Sequence, residues 1–176
     1  MQLVLVRHTR LDLKKGICYG RTDIQPAGTF LSEAGQIAKK LSKFRFDEVF
    51  TSPLQRCTRL ADHLGYMQAV IDRRLIELNF GDWEMKPWNS ITGEYAERWM
   101  NDYLHLPCPG GESMQDLIIR VSGFYNVIKE RSGTLLIFTH SGPIRAFHHI
   151  VHPEKFPSDE LFGIQIGFGS VITLNC

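Results

Sequence analysis

The sequence predicts an α/β fold, a three-layer sandwich in which helices flank a mostly parallel central sheet, formed by a single domain over residues 1–176. Two short apolar runs, at residues 3–6 and 134–139, are typical of strands buried on both faces of a parallel sheet. Segments typical of strands alternate with segments typical of helices along the chain. A length of 176 residues also suits one domain with one main core.

Composition and charge narrow the class of protein. The net charge is +1, with 20 Lys and Arg against 19 Asp and Glu, so no overall field favours nucleic acid or an anionic membrane. The four cysteines are widely spaced and form no Cys-x-x-Cys pair, which argues against a structural zinc site or a redox motif. No apolar run approaches the length of a membrane span, and no basic segment precedes the first apolar run. We therefore expect a cytoplasmic protein with reduced thiols.

The first half of the chain contains two similar units of strand, turn and helix. Residues 3–6 form the first predicted strand, and a loop rich in glycine and proline follows at residues 9–30. Ser32 is the predicted N-cap of a helix that continues to about Ser42. Residues 46–50 form a second predicted strand, followed by a helix that carries Arg56 in its first turn and ends near Gly65.

The second half begins with a short predicted strand at residues 68–71 and an irregular segment, residues 77–112, that holds all three tryptophans. We interpret this segment as a lid-like insertion containing a helix near residues 94–102. The strongest helix pattern follows, with an apolar stripe from Met114 to Ile128. Residues 134–139 form another strand, and the helix after it opens at residues 141–143. The tail, residues 161–174, predicts two further strands interrupted at Gly167 and Gly169.

Two histidines follow buried strands directly: His8 follows residues 3–6, and His140 follows residues 134–139. In an open α/β sheet, ligands bind beyond the carboxyl ends of the strands, so both side chains are expected at one edge of the sheet. Arg7 and Arg56 are expected near the same edge. Two guanidinium groups can each hold a phosphoryl group through paired hydrogen bonds while remaining charged, so this combination favours phosphate chemistry.

The same residue types suggest a mechanism that requires no metal. A neutral imidazole between two cations can attack phosphorus and form a phosphohistidine that water later hydrolyses, while the second histidine stabilises charge. The leaving alkoxide needs a proton, and Glu77 is the candidate acid, with Asp82 close by in sequence. The alternative is that both carboxylates are solvated loop charges. The histidine pair favours the catalytic interpretation.

Five segments in order along the chain carry a resemblance: residues 5–8, 51–56, 75–84, 109–113 and 139–145. Together they resemble the histidine phosphatase superfamily, also called the phosphoglycerate mutase-like family, over nearly the whole length. The resemblance implies that His8 is the phosphorylated nucleophile and that Glu77 is the proton donor. It also implies that Arg7, Arg56 and His140 form the phosphate pocket, with no cofactor.

Within the superfamily, residues 16–23, following Thr9, resemble those of α-ribazole phosphatases, which act in cobalamin biosynthesis. The resemblance implies a small phosphomonoester substrate, α-ribazole 5′-phosphate or adenosylcobalamin 5′-phosphate. Many superfamily members have Thr or Ser, then Asn, where this chain has Leu11 and Lys14, so Lys14, Lys15 or Arg21 is expected to supply the missing phosphate contact. The predicted substrate-binding residues are Thr9, Lys14, Tyr19, Arg21 and Trp83, with Trp88 a further candidate for stacking on an aromatic base.

Three alternatives stay open. The chain resembles phosphoglycerate mutases, although its compact length favours release of the phosphoryl group to water. A broad-specificity phosphatase of sugars or small metabolites would use the same pocket. A non-catalytic phosphate-binding interaction module would keep the pocket without turnover. Monomer and homodimer are both compatible with the sequence.

Overall fold

Five strands form one central sheet in the order β3-β2-β4-β1-β5. In the computed structural model, which describes residues 1–176, they are β1 (Gln2–Arg7), β2 (Glu48–Thr51), β3 (Val70–Ile71), β4 (Thr134–Thr139) and β5 (Val171–Asn175). The pairs β1–β4, β2–β4 and β2–β3 are parallel, and only β5 runs antiparallel, against β1. The predicted α/β class with a mostly parallel sheet is confirmed.

Helices cover both faces of this sheet. They are α1 (Phe30–Leu41), α2 (Gln55–His63), α3 (Glu94–Asn101), α4 (Met114–Ile128) and α5 (Ser141–Val151). Alternate residues of a strand point to opposite faces, so β1 serves two apolar clusters. Val4 and Val6 pack with α1 and α2, whereas Leu3 and Leu5 pack with α3, α4 and α5. This division of the core produces the three layers.

The pairing of β1 with β4 positions the residues that follow them. Leu3 lies opposite Leu135, and the register continues without a slip to Arg7 opposite Thr139. All four central residues of β1, and residues 135–139 of β4, are buried, as expected for strands covered on both faces. The next residue of each strand is a histidine, so the register alone brings His8 and His140 to the same edge of the sheet.

Four predictions for individual elements differ from the structure, among them the third strand, predicted at residues 68–71 and observed as the two residues of β3. Helix α1 begins at Phe30, and its N-cap residue is Thr29, whose carbonyl accepts the backbone N–H of Glu33; Ser32 lies inside the first turn. Strand β2 begins at Glu48 rather than at residue 46. The tail contains one strand, β5, rather than two, because Ser158–Gly163 forms a 3-10 helix and residues 164–170 form no ladder.

The segment at residues 77–112 contains α3 and two short 3-10 turns, Gly81–Trp83 and Trp88–Ser90. Its buried aromatic side chains pack into the larger apolar cluster, and Trp99 lies edge-to-face against Trp83 with ring centroids 5.1 Å apart. Its description as a lid-like insertion of a single domain stays a prediction. None of the helices is both long enough and apolar enough to cross a bilayer.

Candidate active site

His8 and His140 lie in contact at the carboxyl edge of the sheet. Their ring centroids are 5.1 Å apart, and the rings are only 1% and 0% exposed. Burial disfavours a charged imidazole, and Arg56 and Arg7 nearby add repulsion, so the pKa of each histidine is lowered well below 6.5. Both imidazoles are therefore neutral at pH 7, as a nitrogen nucleophile must be.

Hydrogen bonding identifies the reactive nitrogen of His8. Its Nδ1 lies 2.8 Å from the carbonyl oxygen of Thr9, which can only accept, so Nδ1 carries the proton and donates it. The Nε2 atom then carries the lone pair. It is buried and has no hydrogen-bond partner in the protein. A buried acceptor without a partner is costly and needs an explanation, which a ligand at this position would supply.

The residues on either side of His8 show the same feature. Arg7 donates from Nη1 to the carbonyl of Ile166 and from Nη2 to the Tyr19 hydroxyl at 3.2 Å, but its buried Nε has no partner. The buried Oγ1 of Thr9 also lacks one. Three consecutive residues thus each have a buried, unpartnered polar atom. Two of these atoms, Arg7 Nε and Thr9 Oγ1, can each donate a hydrogen bond to an anionic oxygen.

Arg56 is fully buried behind the histidine pair. It donates from Nη1 to the Thr22 carbonyl at 2.8 Å and from Nη2 to the Gly20 carbonyl at 2.5 Å. Its Nε donates to His140 Nδ1 at 3.2 Å, so the proton of His140 lies on Nε2, which donates to Ser52 Oγ at 2.7 Å. One N–H on each terminal nitrogen of Arg56 is left over. Both His140 nitrogens are bonded to protein groups, which the sequence did not predict.

Glu77 is held in one orientation by three donors. Its Oε1 accepts the backbone N–H groups of Leu78 and Gly142, each at 2.9 Å, and its Oε2 accepts the Ser141 hydroxyl at 3.1 Å. The carboxyl group is 5% exposed. Gly142 is needed for this arrangement, because a Cβ there would lie 2.2 Å from Glu77 Oε1. Glu77 is therefore a buried, oriented group rather than a solvated loop charge.

A cavity of about 180 Å³ lies beside the residues that directly precede His8 and follow His140, Arg7 and Ser141. Arg7, Tyr19 and Glu77 line it together with Arg145, a second arginine that sequence reasoning did not single out. Apolar side chains of Ile17, Phe80, Trp88 and Phe162 line the rest of its wall. The cavity thus combines cationic groups, one carboxyl group and an apolar wall, the usual composition of a site for a small organic anion.

The predicted substrate-binding residues are only partly brought together. Tyr19 lines this cavity and also a neighbouring one of about 380 Å³, where Lys14, Lys15 and Phe168 lie. Arg21 is outside both, because its guanidinium is paired with Glu112.

Trp83 is also outside both cavities, packed against Trp99, and Trp88 lines the cavity instead. The prediction that Trp83 binds the substrate is therefore wrong, because Trp88 rather than Trp83 lines the cavity. The carbonyl oxygen of Thr9 accepts the hydrogen bond from His8 Nδ1, and the Thr9 hydroxyl oxygen is one of the unpartnered buried atoms.

Several residues at the site were missed. Ser52 bonds to His140, Ser141 bonds to Glu77, and Phe168 lies against both Arg7 and His8, with its ring centroid 4.0 Å from Arg7 Cζ. One signal was available for Arg145: it lies four residues after Ser141 on α5, so both belong to one helix face. No periodic pattern marks Phe168, which lies in an irregular segment.

Comparisons with known proteins agree with this geometry. A profile of the histidine phosphatase superfamily (branch 1) matches residues 3–176. "Putative phosphoserine phosphatase 2" of Hydrogenobacter thermophilus is 32% identical over 156 residues, which is 82% of this chain and 75% of that protein. A 2,3-bisphosphoglycerate-dependent phosphoglycerate mutase of Mesorhizobium japonicum is 29% identical over 189 residues, covering 95% of this chain and 88% of the mutase.

A solved structure shares the fold. The α-ribazole phosphatase from Shigella flexneri superimposes with a TM-score of 0.86, covering 99% of this chain and 90% of that chain at 23% sequence identity. At this level of identity, the likeness concerns the arrangement of strands and helices.

The buried histidines make folding stability depend on pH. The folded-state pKa values of His8 and His140 lie below the unfolded value of 6.5, so below pH 6.5 the unfolded chain binds more protons and stability falls as the pH falls. Each histidine contributes up to about 1.4 kcal/mol per pH unit. Urea unfolding at pH 7.5 and 5.5 should show that His8→Asn has a shallower loss than the wild type. The exposed His105→Asn is the control, and equal slopes for wild type and His8→Asn would contradict the assignment.

Proposed function

The chain belongs to the histidine phosphatase superfamily, and we propose that it is a metal-independent phosphomonoesterase that works through a phosphohistidine at His8. One observation carries the proposal: Arg7, His8 and Thr9, three consecutive residues at the end of β1, each have a buried polar atom without a hydrogen-bond partner in the protein. A phosphoryl group satisfies all three, because its oxygens accept from Arg7 Nε and Thr9 Oγ1 while its phosphorus faces His8 Nε2.

The first step is an in-line displacement. The lone pair of His8 Nε2 forms a bond to phosphorus as the ester P–O bond breaks. The departing alkoxide takes a proton from Glu77, leaving an alcohol, a phosphohistidine and a Glu77 carboxylate. The bond from His8 Nδ1 to the Thr9 carbonyl keeps Nε2 free for attack and stabilises the positive charge that develops on the ring.

The second step returns the enzyme to its starting state. A water molecule attacks phosphorus, the Glu77 carboxylate accepts its proton, and the P–Nε2 bond breaks to release inorganic phosphate. The hydrogen bonds from Gly142 and Ser141 hold the carboxyl group in one place for both proton transfers. Glu77 thus acts as acid in the first step and as base in the second.

Arg56 and His140 supply charge stabilisation beside the nucleophile. Arg56 is anchored by two loop carbonyls and His140, yet it keeps one N–H on each terminal nitrogen for a phosphoryl oxygen. His140 is fixed between Arg56 and Ser52, and the Nε2–H that bonds Ser52 Oγ must change partner if it is to bond the phosphoryl group directly. The free N–H groups of Arg56 are thus preorganised donors, which stabilise a transition state without further reorientation.

Two classes of substrate compete for this site. For α-ribazole 5′-phosphate, or its cobalamin-linked form, the phosphoryl group would lie at His8 and the aromatic base in the 380 Å³ cavity beside Tyr19 and Phe168. The resemblance of residues 16–23 to α-ribazole phosphatases supports this class. The 180 Å³ cavity favours a smaller phosphomonoester, because it is below the usual 300–1,000 Å³ of ligand pockets and contains Arg145.

The alternatives differ in what happens to the phosphoryl group. A phosphoglycerate mutase would return it to the substrate, so 3-phosphoglycerate would be isomerised rather than hydrolysed. A broad-specificity phosphatase would hydrolyse many esters at similar rates, and a binding module would release no phosphate. We also place the enzyme in the cytoplasm, a proposal that its four free cysteines support.

The phosphoenzyme itself can be trapped. After brief incubation with ³²P-labelled phosphomonoester and quenching, the wild type should carry a label that survives alkali, because phosphohistidine is stable in base. His8→Ala should carry none, whereas His105→Ala, which removes an exposed histidine, should keep it. Release of phosphate without any labelled protein would contradict the covalent mechanism, and absence of both would favour the binding module.

Replacement of the proton donor should depend on the leaving group. The Glu77→Gln variant keeps the shape of the side chain and can still bond Gly142 and Ser141, but its amide cannot protonate an alkoxide. We expect kcat for an alkyl phosphate to fall by about 10²–10⁴-fold. The fall should be much smaller for p-nitrophenyl phosphate, whose leaving group needs little protonation. Equal losses for the two esters would assign the acid to another residue.

A further inference from the structure

Arg145 is a half-buried cation that forms no salt bridge. Its Nε donates to the carbonyl of Ile164 at 3.1 Å, and its guanidinium lies 5.4 Å from the centroid of the Phe162 ring. No carboxylate lies within salt-bridge distance, and the two terminal nitrogens have no hydrogen-bond partner in the protein. Its position on the wall of the 180 Å³ cavity leaves these nitrogens available to a ligand.

The charges in this cavity do not balance around a phosphoryl group alone. A phosphomonoester carries about −1.5 to −2 at pH 7, and Arg7 with Arg56 already matches that charge. Glu77 attracts the charge of Arg145 but forms no ion pair with it, because its carboxyl oxygens bond Leu78, Gly142 and Ser141. A partly desolvated guanidinium is expensive to leave unpaired. A second anionic group on the substrate would complete the balance.

We propose that Arg145 binds a carboxylate of the substrate, and that the preferred substrates are small phosphomonoesters that carry a carboxylate near the ester oxygen. A planar guanidinium matches a carboxylate through two parallel hydrogen bonds, and the small cavity limits the size of the group that connects the two anions. The proposal rests on the proposed phosphatase function and selects the smaller of the two substrate classes.

A purely structural role for Arg145 makes a different prediction. By holding Ile164 and lying against Phe162, Arg145 anchors the segment that follows α5. Loss of an anchor would change the turnover of every phosphomonoester by a similar factor. Loss of a carboxylate contact would change only the preference for esters that carry a carboxylate.

A matched pair of substrates separates the two roles. O-phosphoserine and O-phosphoethanolamine differ only in the carboxylate, so the ratio of their kcat/KM values measures its recognition. We expect the wild type to prefer O-phosphoserine and Arg145→Gln to lower the ratio by about tenfold to a hundredfold, the usual effect of losing a hydrogen bond between charged groups. Arg145→Lys, which keeps the charge without the planar fork, should give an intermediate ratio.

The control variant is Arg131→Gln, at the opposite end of the sheet, where Arg131 pairs with Glu48. It should leave the ratio unchanged. A wild-type ratio near one, or an unchanged ratio in Arg145→Gln, would overturn the role of Arg145 while leaving the phosphatase proposal intact. If Arg145→Gln does not fold, the wild-type ratio and that of Arg145→Lys decide the question. Failure of the wild type to hydrolyse either ester, or p-nitrophenyl phosphate, would instead overturn the phosphatase function.

Discussion

The parallel pairing of β1 with β4 is the constraint on which the rest of the site depends. The two strands pair in register from Gln2–Thr134 to Arg7–Thr139, so the histidine that follows each strand must lie beside the other. A shift of one residue in this register would turn the apolar side chains of β1 to the wrong faces and separate the imidazoles. Burial of both strands between helix layers therefore fixes the core and the site together.

Several cationic and polar groups are buried close together in the site, and removing them from water is unfavourable. Arg7 and Arg56 lie near two imidazoles that burial and these cations keep neutral, and Arg145 lines the cavity that Arg7 also lines. Backbone carbonyls accept hydrogen bonds from the three arginines and offset part of this unfavourable free energy. They belong to the loop before α1 and to the segment before β5: Gly20, Thr22, Ile164 and Ile166. The protein offers no hydrogen-bond partner to the unpartnered atoms of residues 7–9, and a ligand would supply these partners. Such preorganisation favours an anion that forms during the reaction.

The sequence was most informative where local pattern and tertiary structure agree. Strands β1 and β4 were predicted because burial on both faces selects a continuous apolar run. Helix α4 was predicted because burial of one face selects apolar residues at helical spacing. The placement of His8, His140, Arg7 and Arg56 followed from the strand ends. The tail was predicted wrongly because the carbonyls of Ile164 and Ile166 bond arginines rather than a neighbouring strand, and no periodicity records such contacts. Trp88, rather than Trp83, faces the cavity because irregular backbone sets its direction.

A crystal structure with orthovanadate would test the central claim most directly, because vanadate adopts the five-coordinate geometry of phosphorus in the transition state. The account predicts vanadium bonded to Nε2 of His8, with its oxygens accepting hydrogen bonds from Nε of Arg7 and Oγ1 of Thr9. Vanadate bonded to His140, or bound away from residues 7–9, would contradict the assignment of His8 as the nucleophile and of the unpartnered atoms as its phosphate site.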